Sequence, residues 1–136
     1  MAYATQDEIV EIYGEDALRN VAPLDADGEP DTTKVAVALE RASAEVDAYL
    51  SGRFDVPLKQ AGLQIKQVAI DIALYRMPLS LGIQTAEHRL RYEDAIKFLQ
   101  LAAAGKAGIG IGVEEDDAGS PGVDSRAVRT GFLFRA

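Results

Sequence analysis

The chain has 136 residues, of which 48% are apolar and 26% charged, and its formal net charge is −8. This length and composition suit one domain with a substantial core and exclude a wholly disordered chain. The absence of cysteine excludes a disulfide framework and a thiolate metal site. No run approaches about 18 apolar residues, and the N-terminus lacks a basic region followed by an apolar stretch. We therefore expect neither a membrane span nor a signal peptide.

The negative charge is unevenly distributed along the chain. Residues 1–58 carry four Lys or Arg against thirteen Asp or Glu, whereas residues 59–108 carry seven against four. An acidic protein does not bind phosphate backbones by counterion release, so nucleic acid is not an expected ligand. Opposed charges in two segments favour pairing between copies of the chain, although an acidic surface can also serve solubility alone.

Two short helices are predicted near the N-terminus. Residues 5–8, with the sequence TQDE, form a capping box, in which two side chains satisfy the free backbone N–H groups of a helix start. This box predicts a helix that Gly14 ends, and residues 15–21 predict a second helix. Residues 24–31, with the sequence LDADGEPD, predict a turn-rich acidic loop.

A long amphipathic helix is predicted next, and the rest of the chain is organised around it. Its apolar residues recur three and four positions apart in one stripe. They are Val35, Leu39, Ala42, Val46, Tyr49 and Leu50. Asp31 or Thr32 can cap its first turn. Gly52 is expected in the left-handed conformation that ends many helices, and Pro57 prevents the helix from resuming. The corner at residues 52–58 should therefore set the angle to the next helix.

Residues 60–76 predict a helix that is apolar on nearly every side and is therefore the most buried one. Its main apolar face is assigned to Leu63, Val68, Ile72 and Tyr75. Asp71 lies among these residues, and a buried carboxylate is costly unless it is paired. Arg53 and Arg76 are the candidate partners, and a structural ion pair is a better interpretation than a catalytic acid.

Residues 86–104 predict the last helix, with Thr85 as its cap and Gly105 at its end. Its inner face is assigned to Leu90, Phe98, Leu99, Ala102 and either Ala95 or Tyr92. With the preceding helices it predicts a mainly all-α fold, a small helical bundle with a long central helix.

The remaining residues differ in composition, which predicts a helical domain at residues 1–107 and an extended C-terminal arm at residues 108–136. Residues 108–113 alternate between glycine and apolar residues and predict a short edge strand. Residues 114–125 are acidic and lack large apolar side chains, so alone they should be flexible. The candidates for docking are Ile109, Ile111, Val113, Phe132, Leu133 and Phe134. Docking on another protein and folding back on the arm's own bundle both remain open.

The sequence contains no convincing motif for catalysis, a cofactor or a metal ion. The acidic loop fits no register of a calcium-binding loop, because proline falls at its first or its sixth position. His88, the single histidine, has no cysteine partner, and no serine lies in a strand-to-helix elbow. The glycines of residues 108–112 lack the spacing and the lysine of a phosphate loop. We therefore expect no enzyme, no cofactor and no bound metal.

Four segments occur in an order that resembles a family of short proteins from Mu-like phages and prophages. The first segment starts with MAYAT, continues through a short predicted helix and ends with YGE. The other three are ASAEVDAYLSGRFDVPL, QVAIDIALYR and RYEDAIKFLQLAAAGKA. The resemblance covers most of the chain, up to about residue 107. Its most specific part is the second segment, because similar corners recur in phage head–tail connector proteins. Asp47, Arg53 and Pro57 match that corner, and Asp71 and Arg76 match the helix that follows.

The resemblance implies an adaptor, a small helical bundle that forms a ring, twelvefold like the portal, beneath the portal protein. It implies a virion protein of the head–tail neck, assembled in the host cytoplasm. Its partners would be the portal protein, the next neck or tail-completion protein and further copies of the chain. DNA would pass through the ring without specific binding, and no catalytic residues carry over. A small helical binding or regulatory module that recognises a partner peptide is the alternative.

Overall fold

Five helices form the structure, a computed structural model that describes residues 2–78 and 85–109. In chain order they are α1 (Gln6–Tyr13), α2 (Glu15–Val21), α3 (Thr32–Leu50), α4 (Leu63–Arg76) and α5 (Ala86–Ala103). Within the described residues the only β pairing is an isolated bridge between Leu24 and Pro30. The predicted mainly all-α fold is therefore confirmed.

Capping interactions explain where α1 and α3 begin. The Thr5 hydroxyl oxygen accepts the Glu8 N–H at 3.2 Å, and the Glu8 carboxylate accepts the Thr5 N–H at 2.9 Å, which confirms the capping box. At the start of α3, the Asp31 carboxylate accepts the N–H groups of Thr33 and Lys34, both at 3.1 Å. Asp31 is therefore the cap of α3.

The central helix is α3, which packs against α1, α4 and α5. Most of its predicted stripe is buried to 2% exposure or less, namely Val35, Leu39, Ala42, Val46 and Leu50. Burying one of its valine or leucine side chains contributes roughly 1.5–3 kcal/mol, so this stripe is a major contributor to the stability of the bundle. The helix has 19 residues, which gives a length of about 28 Å.

As predicted, α4 is the most buried helix, because α3 and α5 both cover it. Its buried residues are Ile65, Val68, Ala69, Ile70, Ile72, Ala73 and Leu74. Leu63, however, is 86% exposed, so its assignment to the inner face is wrong. The helix begins at Leu63, later than the pattern predicts, and a side chain in the first turn projects from the end of the packed face.

Only one face of α5 is buried. Its buried residues are Ala95, Leu99 and Ala102. Tyr92 and Phe98 are half-buried beside them. Leu90 is 61% exposed, so its assignment to the inner face is wrong. The reason is helical geometry, because Leu90 lies about 140° around the helix from Ala95 at about 100° per residue.

The corner after α3 differs from the prediction at Gly52. The N–H groups of Arg53 and Phe54 both donate to the Leu50 carbonyl, at 3.0 and 2.8 Å, so α3 ends in tightened right-handed turns. The φ angle of Gly52 lies outside the left-handed region, and the predicted left-handed conformation is wrong. Gly105, which ends α5, does adopt that conformation, with φ +79°.

Most of the predicted arm lies outside the described residues, and so does the predicted strand. The docking candidates concerned are Ile111, Val113, Phe132, Leu133 and Phe134. Ile109 is described, and it is 5% exposed and part of the core. The beginning of the arm therefore packs on the helical bundle, while the boundary before residue 108 stays a prediction.

Candidate functional site

The corner between α3 and α4 is the candidate site, because it forms from the most specific segment of the family resemblance. Its centre is Tyr3, near the N-terminus. The Tyr3 hydroxyl donates to the Asp47 carboxylate on α3 and accepts the Leu58 N–H at 2.7 Å. The Tyr3 N–H donates to Ser43 Oγ at 2.9 Å. One residue thus joins the N-terminal segment, the end of α3 and the corner.

Because Tyr3 and its partner Leu58 are buried, loss of their hydrogen bond would destabilise the fold. Tyr3 and Leu58 are each 4% exposed, and a buried N–H without a partner costs about 1–3 kcal/mol. Burial, reinforced by the hydrogen bond to Asp47, raises the pKa of Tyr3 to about 12. The hydroxyl therefore remains protonated at neutral pH and keeps both its donor and its acceptor role. Asp47, predicted as a corner residue, holds the corner through Tyr3.

The other predicted corner residues have different surroundings. Pro57 follows Val56 through a cis peptide bond. Arg53 places its guanidinium over the Phe54 ring, 5.7 Å from the centroid. It also lies against Gly105, where an added Cβ would stand 2.8 Å from Arg53 Nη1. Among residues 2–78 and 85–109, no carboxylate forms an ion pair with Arg53.

Asp71 is half-buried, and its partners are neutral polar side chains. Its carboxylate accepts the Tyr13 hydroxyl at 2.6 Å and Gln67 Nε2 at 3.1 Å. Gln67 Nε2 also donates to the Tyr13 hydroxyl oxygen at 2.7 Å. The predicted ion pair with Arg53 or Arg76 is therefore wrong. Helical periodicity places Asp71 on an apolar helix, but it does not show that the end of α1 packs over it.

Arg91 adds a positive charge to the cluster around Asp71. Its guanidinium carbon lies 4.3 Å from the Tyr13 ring centroid, a cation–π arrangement. Burial raises the pKa of Asp71, and the hydrogen bonds from Tyr13 and Gln67 and the charge of Arg91 oppose that rise. Burial also raises the pKa of Tyr13 to about 12. The cluster joins α1, α4 and α5 as a structural polar network.

Arg76 pairs with Glu45 on α3. Its Nε and Nη2 atoms donate to the two carboxylate oxygens at 3.2 and 3.1 Å, a bidentate arrangement. This hydrogen bonding raises the pKa of Arg76. The Tyr92 hydroxyl donates to Glu45 at 3.1 Å, and the Tyr92 ring stacks on Tyr75 with centroids 4.1 Å apart. Because Arg76 is about half exposed, the pair orients helices more than it stabilises them.

A groove of about 520 Å³ lies beside this pair, between α3 and the end of α4. Val37, Ala38 and Met77 form its apolar part, and Lys34 and Arg41 provide basic groups. Val37 is 40% exposed there. The volume falls in the range of pockets that bury small ligands or anchor side chains.

Exposed charges separate along the axis of α3. The loop before the helix exposes Asp25 and Asp27. Arg53 is exposed at the opposite end, and its contact with Gly105 brings the exposed Lys106 to that end as well. About 28 Å of helix separates the two groups. The exposed Asp55 lies in the same corner as Arg53, so the bundle has a clearly acidic end and an opposite, basic end with a small excess of positive charge.

The acidic loop folds as a hydrogen-bonded turn. Asp25 Oδ1 accepts the N–H groups of Asp27 and Glu29, at 2.9 and 3.0 Å. Within the described ranges, no three His, Cys, Asp or Glu side chains are grouped to hold a metal ion. No helix in the described part of the chain is long and apolar enough to cross a membrane.

The segment that forms the corner resembles small helical proteins of Mu-like phages, and the matches with known proteins agree. The family described as Bacteriophage Mu, Gp36 matches residues 3–127. The chain is 34% identical to the Mu-like prophage FluMu protein gp36 of Haemophilus influenzae over 115 residues, or 85% of this chain and 79% of that protein. It is 32% identical to Gene product J of Escherichia phage Mu over 122 residues, 89% and 84% of the two chains. The chain therefore belongs to the bacteriophage Mu Gp36 family, which confirms the predicted resemblance to Mu-like phage proteins.

The family match continues past the point where the resemblance was expected to end, from about residue 107 to residue 127. The first part of the predicted arm therefore belongs to the family as well. Its last residues, including Phe132, Leu133 and Phe134, lie beyond the match.

The residues that tie the helices together are not predicted from the sequence. They are Tyr3, Tyr13 and Glu45, each of which bonds a residue at least 31 positions away. Helical periodicity describes neighbours three and four positions apart, so it gives no signal for contacts at this distance. The charge of Glu45 on α3 and of Arg76 on the following helix is the one available hint.

Proposed function

We propose that this chain is a structural virion protein, a head–tail connector that forms a ring beneath the portal and links the capsid vertex to the tail. It acts in the neck of the virion after assembly in the host cytoplasm. Its partners are the portal protein, the next neck or tail-completion protein and other copies of the chain, twelve in a complete ring. It uses no cofactor and catalyses no reaction.

The observation that carries the proposal is that buried hydrogen bonds of Tyr3 fix the corner between α3 and α4 in a member of a phage family. The connector-like segment ends α3 and leads to Leu58, and the Tyr3 hydroxyl holds both parts together. A ring subunit must keep the angle between its elements constant, because an error in one subunit is repeated at every interface. A corner held by buried hydrogen bonds supports this constancy.

The charge separation along α3 supports head-to-tail association of copies. A heterologous contact joins two different surfaces of a subunit and closes into a ring when the rotation fits. The acidic end near Asp25 and the basic end near Arg53 are complementary surfaces for such a contact. The net charge of −8 also suits passage of DNA without specific binding, since like charges repel.

Disruption of the gene in its phage, with plasmid complementation, tests the connector function. We expect disruption to yield filled heads and separate tails in electron micrographs, and the wild-type plasmid to restore joined particles. Arg53→Glu should reduce joined particles at least tenfold by reversing charge at the basic end, and Lys34→Glu, an exposed change near the acidic end, should leave them nearly unchanged. Joined, infectious particles in the absence of the protein would contradict the proposal.

A second candidate function, a helical module that binds a partner peptide, is favoured by the groove beside α3. The apolar Val37 and the basic Lys34 and Arg41 suit a peptide with an apolar anchor next to an acidic residue. In the complementation experiment this function predicts the reverse order, with Lys34→Glu damaging and Arg53→Glu tolerated. The same pair of variants therefore separates the two candidates.

A further inference from the structure

The outer face of α5 carries a stripe of exposed residues that the connector function does not use. The stripe consists of Leu90, Asp94, Lys97 and Leu101. Leu90 is 61% exposed and Leu101 41%. The four positions are four, three and four residues apart, which places them along one line of the helix.

This spacing has the form of a heptad seam. With Leu90 at a d position, Asp94 falls at a, Lys97 at d and Leu101 at a. The buried residues of α5 fall at the positions on the opposite side, and they are Ala95, Leu99 and Ala102. One face of α5 therefore belongs to its own bundle, while the other has heptad spacing with a leucine at each end and two opposite charges at its centre.

The order of the four residues is complementary to its own reverse, because leucine then meets leucine and each charge meets the opposite charge. An antiparallel pairing centred between residues 95 and 96 sets Leu90 opposite Leu101 of the second copy. The same register sets Asp94 opposite Lys97 of the second copy. Antiparallel coils pair a positions with d positions, as here. Because such a pair has two-fold symmetry, each contact occurs twice.

The two central charges are available for this pairing. Within the described part of the chain, neither Asp94 nor Lys97 forms an ion pair, although they stand three positions apart on one helix. Their neighbours Arg89 and Glu93 do pair with each other, at 3.2 Å. The charges of Asp94 and Lys97 are therefore available to pair across a two-fold axis.

We propose that the outer face of α5 binds the same face of a second copy in antiparallel orientation, with the two Asp94–Lys97 pairs setting the register. This contact is isologous, whereas a ring needs a heterologous one, so the pair is a form of the free protein and is independent of the connector function. A single helix pair buries less than the roughly 1,200 Å² of stable interfaces. The association is therefore reversible and appears at micromolar or higher concentration.

Charge reversal in the full chain tests the proposal, with analytical ultracentrifugation over a concentration series. Wild-type protein should show a monomer–dimer equilibrium. Asp94→Lys and Lys97→Asp should each weaken it at least tenfold, because like charges then meet twice. The double variant should dimerise like the wild type, and an equimolar mixture of the two single variants should form heterodimers. Unchanged helix signal and melting temperature verify that these exposed substitutions leave the fold intact.

Three results would overturn the proposal. The first is wild-type protein that remains monomeric, or that forms only rings, throughout the series. The second is a dimer that both single substitutions leave unchanged, which would place the contact on another surface. The third is failure of the mixed single variants to pair. None of these results affects the joining of heads and tails, so the two proposals fail separately.

Cysteine cross-linking tests the register, because the chain has no cysteine of its own. A mixture of Leu90→Cys and Leu101→Cys copies should form a disulfide between copies. Leu90→Cys alone should not, because its two sites would lie about 16 Å apart along the axis, beyond the roughly 7 Å that a disulfide spans. Equally efficient self-linking of Leu90→Cys would contradict the antiparallel register. A disulfide within one copy between Leu90→Cys and Phe132→Cys would assign the face to the chain's own C-terminal segment and overturn the proposal.

Discussion

Two tyrosines tie distant parts of the chain together, and their chemistry is alike. Tyr3 donates its hydroxyl to Asp47 on α3, and Tyr13 donates its hydroxyl to Asp71 on α4. Burial is the main cause that raises the pKa of each tyrosine to about 12. Each hydroxyl therefore serves as a protonated donor in a polar cluster that joins several elements.

The two ties differ in the group that each hydroxyl accepts. Tyr3 accepts the buried backbone N–H of Leu58, whereas Tyr13 accepts the side-chain amide of Gln67. A side-chain amide can rotate toward water or another partner, but a buried backbone N–H in a tight corner cannot. Loss of the Tyr3 tie should therefore cost more than loss of the Tyr13 tie.

The largest expected effect follows from titrating both tyrosines together. Because the folded-state pKa of each lies above the ordinary value of 10.0, their contribution to stability is fully present below about pH 10. It is lost as the pH rises toward about 12. We expect the free energy of unfolding, from urea titrations, to fall over this interval by more than any single substitution below removes. Tyr3→Phe and Tyr13→Phe should each make this pH dependence shallower, and an unchanged slope in both would contradict the assignment.

Tyr3→Phe should cause the largest loss among single substitutions. It removes a hydrogen bond to a carboxylate and leaves the Leu58 N–H buried without a partner. The expected loss is about 3 kcal/mol in the free energy of unfolding, measured by urea denaturation at pH 7. Amide hydrogen exchange should also quicken at Leu58. A loss below about 1 kcal/mol would show that the corner does not depend on this hydroxyl.

Two substitutions at Asp71 separate the contribution of its charge to stability from the contribution of its hydrogen bonds. Asp71→Ala should lose about 1–2 kcal/mol, because Tyr13 and Gln67 both lose their acceptor. Asp71→Asn keeps an acceptor oxygen. Because burial raises the pKa of Asp71, the folded state accommodates the charged carboxylate less well than the unfolded chain does, and replacement by the neutral amide should cost less than about 0.5 kcal/mol at pH 7. Equal losses for the two variants would mean that the charge itself stabilises the cluster.

Tyr13→Phe should have a smaller effect than Tyr3→Phe, a loss of about 1 kcal/mol. The ring remains under the Arg91 guanidinium, so the cation–π contact is kept. Thermal melting of Tyr3→Phe and Tyr13→Phe side by side measures the comparison directly. A lower melting temperature for Tyr13→Phe than for Tyr3→Phe would reverse the ranking.

The helices themselves could be predicted from the sequence, because their signals are local. The capping box at Thr5, the glycine at the end of α1 and the apolar stripe of α3 involve residues at most a few turns apart. The same reasoning assigns Leu63 and Leu90 to inner faces, but both side chains are exposed in the structure. Apolar residues at helical spacing indicate that a helix has an apolar face. Which of these residues are buried depends on how the helices pack against each other, and the spacing does not show this.

The candidate site was less predictable for a related reason. The sequence identifies Asp71 as a carboxylate in apolar surroundings, but the arginine partners that it predicts are not those in the structure. The partner, Tyr13, comes from α1, 58 positions earlier in the chain. Only the family resemblance assigns Asp47 to the corner. The physical reason for this assignment is the hydrogen bond from Tyr3, which forms only in the folded chain.

The proposed connector function is tested most directly by a cryo-electron microscopy reconstruction of the neck in complete virions of the phage that encodes this chain. A connector predicts a ring of copies between the portal and the tail, into which the α1–α5 bundle fits with its Tyr3-locked corner unchanged. The ring should place the end of the bundle near Asp25 against the end near Arg53 of the neighbouring copy. A neck in which every ring is accounted for by other proteins would contradict the connector function.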